Sequence, residues 1–499
     1  MRKPIIAFFG LFAAVSASAG GLLDRIPDST YRYNVEGAAS LSSGEHTPFW
    51  LLNNRFGLSS IEKSNGYLRA GLFKEMKYDR RFSWDFGVDL AVAYNFSSSF
   101  IVQQLYAGVR YRSLDLTIGS KERQEGVVNH RLGSGDMVFS ENARPVPQIY
   151  LSMPDFEPIP GTNKWLSARG YFSMGIFTDS DWSRRHVGYH GTYNDGRWFH
   201  TKGLFLRGGN LDKFPLTLEG GLEMGTQFGG TNYKLDPHSG HYGVTHFSKS
   251  FKNIAKAVLG MGGGNADDPL QTSETSNAYG NHVGQWSLAL TYKQKDNPWG
   301  GRLYYQHYFD DHSQMFFDHA WRDMLLGVEI TFPENPVVST FVYEYLITKD
   351  QSGAVYWDTT DEIPEQVSGA DNYYNHDSFG NWQHWGMGIG NPLLISPIYN
   401  ADNALDFRHN RIKGHHFGWE GHPHPDVDYR VLMSYTRSWG TYFIPTPSIM
   451  HNFNALLEVS YRPHRLPGWC GRLSLAADGG RLLGKSFGAM LTISKSGWL

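Results

Sequence analysis

Apolar and polar residues alternate with a period of two over long stretches of this chain. From Phe82 the rings and aliphatics fall at Phe82, Trp84, Phe86, Val88, Leu90, Val92 and Tyr94, with Ser83, Asp85, Gly87, Asp89, Ala91 and Ala93 between them. One face is greasy and the other polar or very small, the mark of an extended strand with unlike sides. The pattern returns at Phe214, Leu216, Leu218, Leu222, Met224 and Phe228, interleaved with Thr217, Glu219, Gly221, Glu223, Gly225 and Gln227, and again at Phe453, Ala455, Leu457, Val459 and Tyr461. Strands of soluble sandwiches run to about five or six residues, with a solvated face rich in Lys. These runs exceed the roughly ten residues with which a tilted strand crosses a membrane. Rings at their ends, such as Tyr78, Phe82, Tyr94 and Tyr461, suit aromatic girdles at the two interfaces.

Strands are expected near 31–41, 66–79, 81–95, 100–112, 113–120, 147–153, 165–178, 197–207, 214–228, 283–293, 300–310, 322–332, 337–348, 405–418, 429–438, 452–463, 470–478 and 486–495. That makes about 18, an even number, as bacterial barrels have. Of these, 147–153 and 405–418 rest partly on parity. With the N-terminus in the periplasm, short turns near Asp79-Arg80, Arg112-Ser113, Gly208 to Lys213, Lys295 to Gly300 and Pro333 to Pro336 fall on one side. The segments 42–65, 121–146, 179–196, 229–282, 349–404 and 439–451 fall on the other. This sorting of short and long connections is that of an outer-membrane barrel. Phe251 to Leu259 reads as a short helix in a long loop, ending at Gly262 to Gly264. The last strand reaches almost to the C-terminus and closes the barrel. No second domain, repeat or low-complexity tract interrupts the pattern, so 20–499 reads as one barrel domain.

The start of the chain sets the compartment. Arg2 and Lys3 precede an apolar run from Pro4 to Val15 and then Ala17-Ser18-Ala19, the order of a secretory signal peptide, with cleavage expected after Ala19. The run is far short of the roughly 20 residues of a spanning helix. Composition narrows the function. Of 499 residues, 15% are aromatic and only 19% charged, and 45 Lys plus Arg against 48 Asp plus Glu leave a formal charge of -3, with no concentrated basic patch for nucleic acid. The single Cys470 excludes an intramolecular disulfide framework, a Cys-based zinc site and an iron–sulfur cluster.

Catalytic signals are sparse. Among 21 His, the groups His238, His241 and His246, His312 and His319, His415-His416, and His422 with His424 include no His-Glu-x-x-His pair, so no metal site is expected from them. No Gly-x-Ser-x-Gly elbow announces a hydrolase, and Gly260 to Gly264 lacks the Lys-Ser/Thr of a phosphate loop. The loop from Lys349 to Ala404 is richer. It carries Tyr356, Trp357, Tyr373, Tyr374, Trp382 and Trp385 beside Asp358, Asp361, Asp371, Asn372, Asn375, Asp377 and Asn381. Rings that stack on pyranose faces, next to side chains that take hydroxyls, suit sugars, and Trp357, Tyr373, Tyr374, Trp382, Trp385, Asp371 and Asn372 are the candidate carbohydrate ligands. The same rings could instead pack the loop into a cap. The loop's acids would repel an acidic glycan unless a divalent cation bound at 349–404, or basic residues elsewhere, intervened. Inward-facing Asp85, Asp89, Arg110, Arg112, Asp115, Glu219, Glu223, Lys293, Glu329, Glu344 and Arg462 give the lumen both signs of charge, which favours an occluded barrel over a diffusion pore.

Several segments resemble a known family. Glu45-His46-Thr47-Pro48-Phe49-Trp50-Leu51 with Arg55-Phe56-Gly57, Leu132 to Gly135, and above all Ser140-Glu141-Asn142-Ala143-Arg144-Pro145-Val146-Pro147 resemble the Wzi-type capsule assembly proteins in their Bacteroidetes form. So do Trp165 to Asp179, Gly390-Asn391-Pro392, Arg411, His415 to Gly418, Ser438 to Tyr442, and Ala477 to Gly480. The resemblance implies an outer-membrane β-barrel lectin that holds capsular polysaccharide at the cell surface, is not an enzyme, and has the polysaccharide, membrane lipid and the capsule export machinery as partners. Enterobacterial members carry a periplasmic helical segment at the N-terminus, whereas here strand pattern begins near Tyr31. Within the motif, Arg144 is either a donor to a glycan carboxylate or part of a lumen plug. The plug reading pairs Arg144 with Glu219 or Glu223 and lets Pro145 and Pro147 fix the bend beside Asn142; it is favoured because so long a segment orders more easily against a wall. A saccharide-conducting channel is the alternative function, and a surface hydrolase a third.

Overall fold

The computed structural model describes residues 31–188, 191–235, 241–261, 279–294, 298–310, 315, 322–333, 335–355 and 368–499. The signal peptide and its cleavage site lie outside them. The chain winds into a closed antiparallel sheet of 18 strands. In order these are β1 (Tyr31–Gly44), β2 (Ser64–Lys74), β3 (Phe82–Tyr94), β4 (Phe100–Tyr111), β5 (Leu114–Ser120), β6 (Gln148–Pro158), β7 (Leu166–Ile176), β8 (Trp198–Gly208), β9 (Leu216–Phe228), β10 (Asn281–Lys293), β11 (Gly300–Asp310), β12 (Met324–Thr331), β13 (Thr340–Ile347), β14 (Ile412–His424), β15 (Val427–Gly440), β16 (Pro445–Tyr461), β17 (Trp469–Gly480) and β18 (Ser486–Trp498). Each strand pairs with the next, and β18 returns to β1 in register from Arg32↔Trp498 to Gly44↔Ser486, so no edge is left unpaired in the membrane. Every expected strand is present. The two that rested on parity are displaced: β6 starts at Gln148 but runs on to Pro158, and β14 begins only at Ile412 because 405–411 belongs to an inward-folded loop.

The two faces follow the alternation. On β3, Phe82, Trp84, Val88, Val92 and Tyr94 are exposed on the outside of the wall, while Ser83, Asp85 and Asp89 are buried on the lumen side. Interior charges pair across neighbouring strands and loops: Arg69 with Asp89 and Glu122, Arg110 with Asp115, Lys121 with Asp85, and Arg207 with Glu219. Glu458 has three arginine neighbours, 2.9 Å from Arg430, 3.7 Å from Arg55 and 3.8 Å from Arg472. Low dielectric makes such pairing obligatory rather than stabilising in itself.

Three long connections from the outer end fold back into the lumen. The first, 45–63, carries the short helix α1 (Phe49–Leu52), whose four residues are all buried. The second spans 121–147 and the third 371–411; Leu132, Met137, Val138, Tyr374, Trp382, Leu393, Leu394 and Phe407 form one apolar cluster with wall residues such as Tyr304, Tyr308 and Leu346. The lumen is therefore filled, as mixed interior charge suggested. The Gly390-Asn391-Pro392 motif explains itself here, since a Cβ on Gly390 would collide with the Tyr374 hydroxyl and the Met137 carbonyl. Outside the wall, α3 (Phe251–Leu259) is the expected loop helix, capped by Ser250 and ended at Gly260, with φ of 66°, rather than at the later glycines. An additional helix, α2 (Ser180–Val187), follows β7.

Removing a shared acceptor tests the interior pairing. Glu458→Ala should lower unfolding free energy by about 3 kcal/mol or more, because three arginines lose their carboxylate. Arg32→Ala, which removes an exposed pair with Glu75 and a contact with the Phe73 ring, should cost less, about 1–2 kcal/mol. Urea unfolding of the refolded barrel, read by gel mobility with and without heating, measures both.

Candidate functional site

The plug and the outer loops meet at Asp179, which follows the end of β7. Its carboxylate is buried and accepts from Arg197 Nη2 at 3.0 and 3.1 Å, from the Trp385 N–H at 3.2 Å and from Gln383 at 3.4 Å. Burial alone would push this carboxyl up, but Arg197 and the hydrogen bonds hold it below the usual range. Beside it lies His384. Its Nδ1–H donates to the Arg144 carbonyl at 2.9 Å, and its Nε2 accepts from the Thr178 N–H at 3.4 Å and lies 3.1 Å from the Thr178 hydroxyl. Burial pushes the ring down to about 4, and the donor at Nε2 leaves that nitrogen no use for a proton.

Two clefts open on either side of this junction at the outer mouth. The first, about 350 Å³, is polar, with Asn194, Lys234, Asn372, His376, Asp377, Asn381, Asp406 and Thr441 around Tyr193, Phe443 and Ile444. Its rim is held by a three-stranded sheet, Tyr193–Asp195, Gly230–Leu235 and Tyr242–Phe247, pinned to the plug where Asn194 and Asn232 donate to the Ser378 carbonyl at 2.8 and 2.9 Å. The second, about 290 Å³, is walled by Trp182, Trp385, Phe96 and His186, with Ser59, Ser60, Glu62, Asn95 and Ser97 among its polar groups. The Trp182 ring stacks on His186 at 4.5 Å and tilts against Trp385 at 5.9 Å. Trp385 is held in a left-handed turn, φ 58°, with the Arg144 guanidinium 4.5 Å from its centroid.

This arrangement corrects part of the sequence reading. Tyr373, Tyr374 and Trp382 are fully buried, so their faces are given to protein: Tyr373 donates to Asp323 at 3.0 Å, Tyr374 to the Met137 carbonyl, and Trp382 to the Val138 carbonyl at 3.0 Å. They pack the loop inward, the other course open to them. Trp385 and Asn372 do line clefts, though different ones; Asn372 also accepts from Asn375 and Asn410. Asp371 is half-buried and lines neither, and its N–H donates to Gln351. Trp357 lies outside the described residues, as do Asp358, Asp361, Glu362 and Glu365 of the acidic loop. Among the described residues no group of three His, Cys, Asp or Glu is arranged to hold a metal.

The Asn142 to Pro147 segment is part of the plug. Asn142 accepts from the Asn54 N–H at 3.1 Å and donates to the Gly388 carbonyl, also at 3.1 Å, tying all three inward loops together. The Pro145 and Pro147 carbonyls accept from Ser120 and from the Ile176 N–H as the chain rejoins the wall. The pairing expected of Arg144 is wrong: Glu219 is taken by Arg207, and Glu223 by Tyr171 and Gln285. Arg144 donates instead to Ser97 and the Gly57 carbonyl. Phe96, Trp182, His186, Asp179 and Arg197 were not singled out from sequence. The one local signal was Asp-Ser-Asp-Trp at 179–182, which opens α2.

The fold and its mouth define an occluded outer-membrane β-barrel that presents polar and aromatic clefts to the exterior. The family model described as capsule assembly protein Wzi matches residues 33–384. The chain belongs to that family and resides in the outer membrane. Among solved structures, Escherichia coli Wzi, described as an outer-membrane protein involved in group 1 capsule assembly and a carbohydrate-binding β-barrel, aligns with 12% identity over 96% of this chain and 86% of its own, at a TM-score of 0.54. Acinetobacter baumannii OccAB4 and Pseudomonas aeruginosa OpdQ align at 10% identity with TM-scores of 0.47 and 0.46, each over 95% of this chain and 99% and 100% of their own. No curated protein sequence matches the chain.

The His384 geometry makes plug stability depend on pH. A base whose folded pKa is depressed stabilises the fold fully above its unfolded value near 6.5 and loses that contribution as pH falls toward about 4. The shift corresponds to roughly 3 kcal/mol. The unfolding midpoint of the barrel should fall between these pH values, and His384→Gln should flatten the fall.

Proposed function

We propose that this protein is a surface lectin: it binds capsular polysaccharide non-covalently at its outer mouth and so keeps capsule attached to the cell. The observation that carries this reading is the aromatic cleft. Trp182, Trp385 and Phe96 supply apolar walls, Ser59, Ser60, Glu62 and Asn95 supply hydrogen-bonding groups, and about 290 Å³ accommodates a sugar residue. Family membership and the description of E. coli Wzi as carbohydrate-binding support it. The polar cleft lies across the Asp179 junction, so a chain molecule could engage both. Binding needs no bond broken in the glycan, and no catalytic role is assigned to any residue. A divalent cation at the acidic loop 349–404 would belong to this reading only if chelation weakened binding. Contact with the export machinery is likewise part of the proposal.

Trp182→Ala with Trp385→Ala should weaken binding of the host's capsular polysaccharide by the purified barrel by about tenfold or more, as truncation of aromatic anchors that cost upward of ~1–2 kcal/mol requires. The variant should shed capsule into the medium at unchanged barrel level. Unchanged retention with a folded double variant would remove the cleft from the account. In planar bilayers the wild-type barrel should be silent; steady single-channel conductance would favour the saccharide channel instead.

A further inference from the structure

The outer face of the wall carries four cations together at the mouth end of β13, β14 and β15. Lys413 on β14 stands directly opposite Arg437 on β15, with Ile347 of β13 on its other side. One rung nearer the exterior, the Thr348 N–H donates to the Ile412 carbonyl and Arg411 Nε to the Lys349 carbonyl at 3.0 Å, which sets Lys349 beside Arg411. Trp439 completes that rung, its N–H donating to the Arg411 carbonyl. Lys349 and Arg437 each lie 5.3 Å from the centroid of the Trp439 ring, and Arg411 lies 5.5 Å from that of Tyr442. None of the four has a carboxylate within 4.0 Å among the described residues. Like charges set directly opposite across a sheet are unfavourable, and ring contacts offset only part of that cost. The rung just below is a row of rings, Tyr345, His415, Tyr435 and Phe453, each opposite the next, with Tyr435 and Phe453 exposed. A row of rings on the outside of a barrel marks the membrane–water interface, so the cations above it stand at the level of lipid headgroups in the outer leaflet. The rim differs elsewhere: the mouth ends of β3 and β4 present Val92, Tyr94, Phe100 and Val102 outward.

We propose that Lys349, Arg411, Lys413 and Arg437 form a binding site for the phosphate groups of an outer-leaflet lipid, whose acyl chains lie against the wall below the row of rings. The two guanidinium groups offer paired N–H donors to phosphate oxygens, and the two ammonium groups add compact charge beside them. A phosphate seated between the rungs turns two repulsive pairs into charge-assisted contacts. Position selects a lipid over the capsular glycan. The patch faces sideways, toward the bilayer, and none of the four side chains lines either cleft at the mouth. Beneath the rings the outer face continues with Phe417, Met433, Val431 and Leu457, an apolar surface suited to acyl chains. The site does not rest on the lectin reading. Tyr442 nevertheless belongs to the same turn as Thr441, Phe443 and Ile444, which line the polar cleft, so a lipid held at Arg411 and Tyr442 also steadies one rim of that cleft.

The test uses the full purified barrel in a neutral detergent, titrated with lipid A and with lipid A stripped of its phosphates, and read by native mass spectrometry and by the unfolding midpoint. Saturable binding and a raised midpoint are expected with the phosphorylated lipid, and a much weaker response with the stripped one. Lys413→Gln with Arg437→Gln should weaken binding of the phosphorylated lipid at least about tenfold, in line with the loss of charge-assisted contacts. Lys349→Gln with Lys413→Gln gives the same reading if that double variant fails to fold. Arg81→Gln, in the turn at the opposite end of the barrel, should leave binding intact. Equal binding of both lipids, or binding of the phosphorylated lipid that survives both double variants, would overturn the proposal. So would loss of capsular polysaccharide binding in Lys413→Gln with Arg437→Gln while lipid binding stayed unchanged, since the patch would then belong to the glycan. Polysaccharide binding through Trp182 and Trp385 is scored on the same preparations, so either reading can fail alone.

Discussion

The structure depends on filling a wide lumen with groups that satisfy one another. A wall of 18 strands satisfies its own backbone by closing, which is what a bilayer demands, but closure at this strand number leaves an interior too broad for wall side chains to fill. The protein meets that constraint by folding three outer loops inward and pairing buried carboxylates and amides of the loops with those of the wall. Asp136 shows the method. Its carboxylate accepts from the backbone of Val138 and Phe139, which shapes its own loop, and from Gln285 and Gln306 on β10 and β11, which fixes that loop to the wall. Glu344 does the reverse, a wall carboxylate accepting from the Ser134 N–H of the plug.

Once the loops are committed inward, their outer surfaces become the mouth. The two clefts are what remains between plug, α2 and the small three-stranded sheet, and Asp179 with Arg197 is the post around which they are arranged. A rigid floor matters for weak, repeated ligand contacts, because every side chain that must be ordered on binding subtracts from affinity. Trp385 faces its cleft already held by its backbone bond to Asp179 and its contact with Arg144. The plug thus closes the pore and preorganises the surface in one step.

The wall was legible from the sequence because its signal is local. Period two is a property of neighbouring residues, so all the strands could be read, and the errors fell where a segment changes role, as at 405–411, which lies against the plug before β14 begins. The candidate site was legible only in kind. Tyr373, Tyr374, Trp382 and Trp385 share one composition and one stretch of chain, yet three of these rings pack the lumen interior and one faces a cleft. The difference lies in which ring meets Met137, Val138 and Asp323 from distant segments. Trp182 and Phe96 could not be joined to Trp385 by any spacing, since they come from three separate outer connections.

By itself the sequence determined the barrel, its closure, and an interior of mixed charge, because each follows from short-range alternation or from composition. Only the tertiary structure decided which polar groups became partners. It gave Glu219 to Arg207 and left Arg144 on Trp385, and it turned an aromatic loop from a supposed sugar platform into most of a plug. Pairing and burial are settled by which distant side chains arrive in the same place, and no periodicity along the chain carries that information.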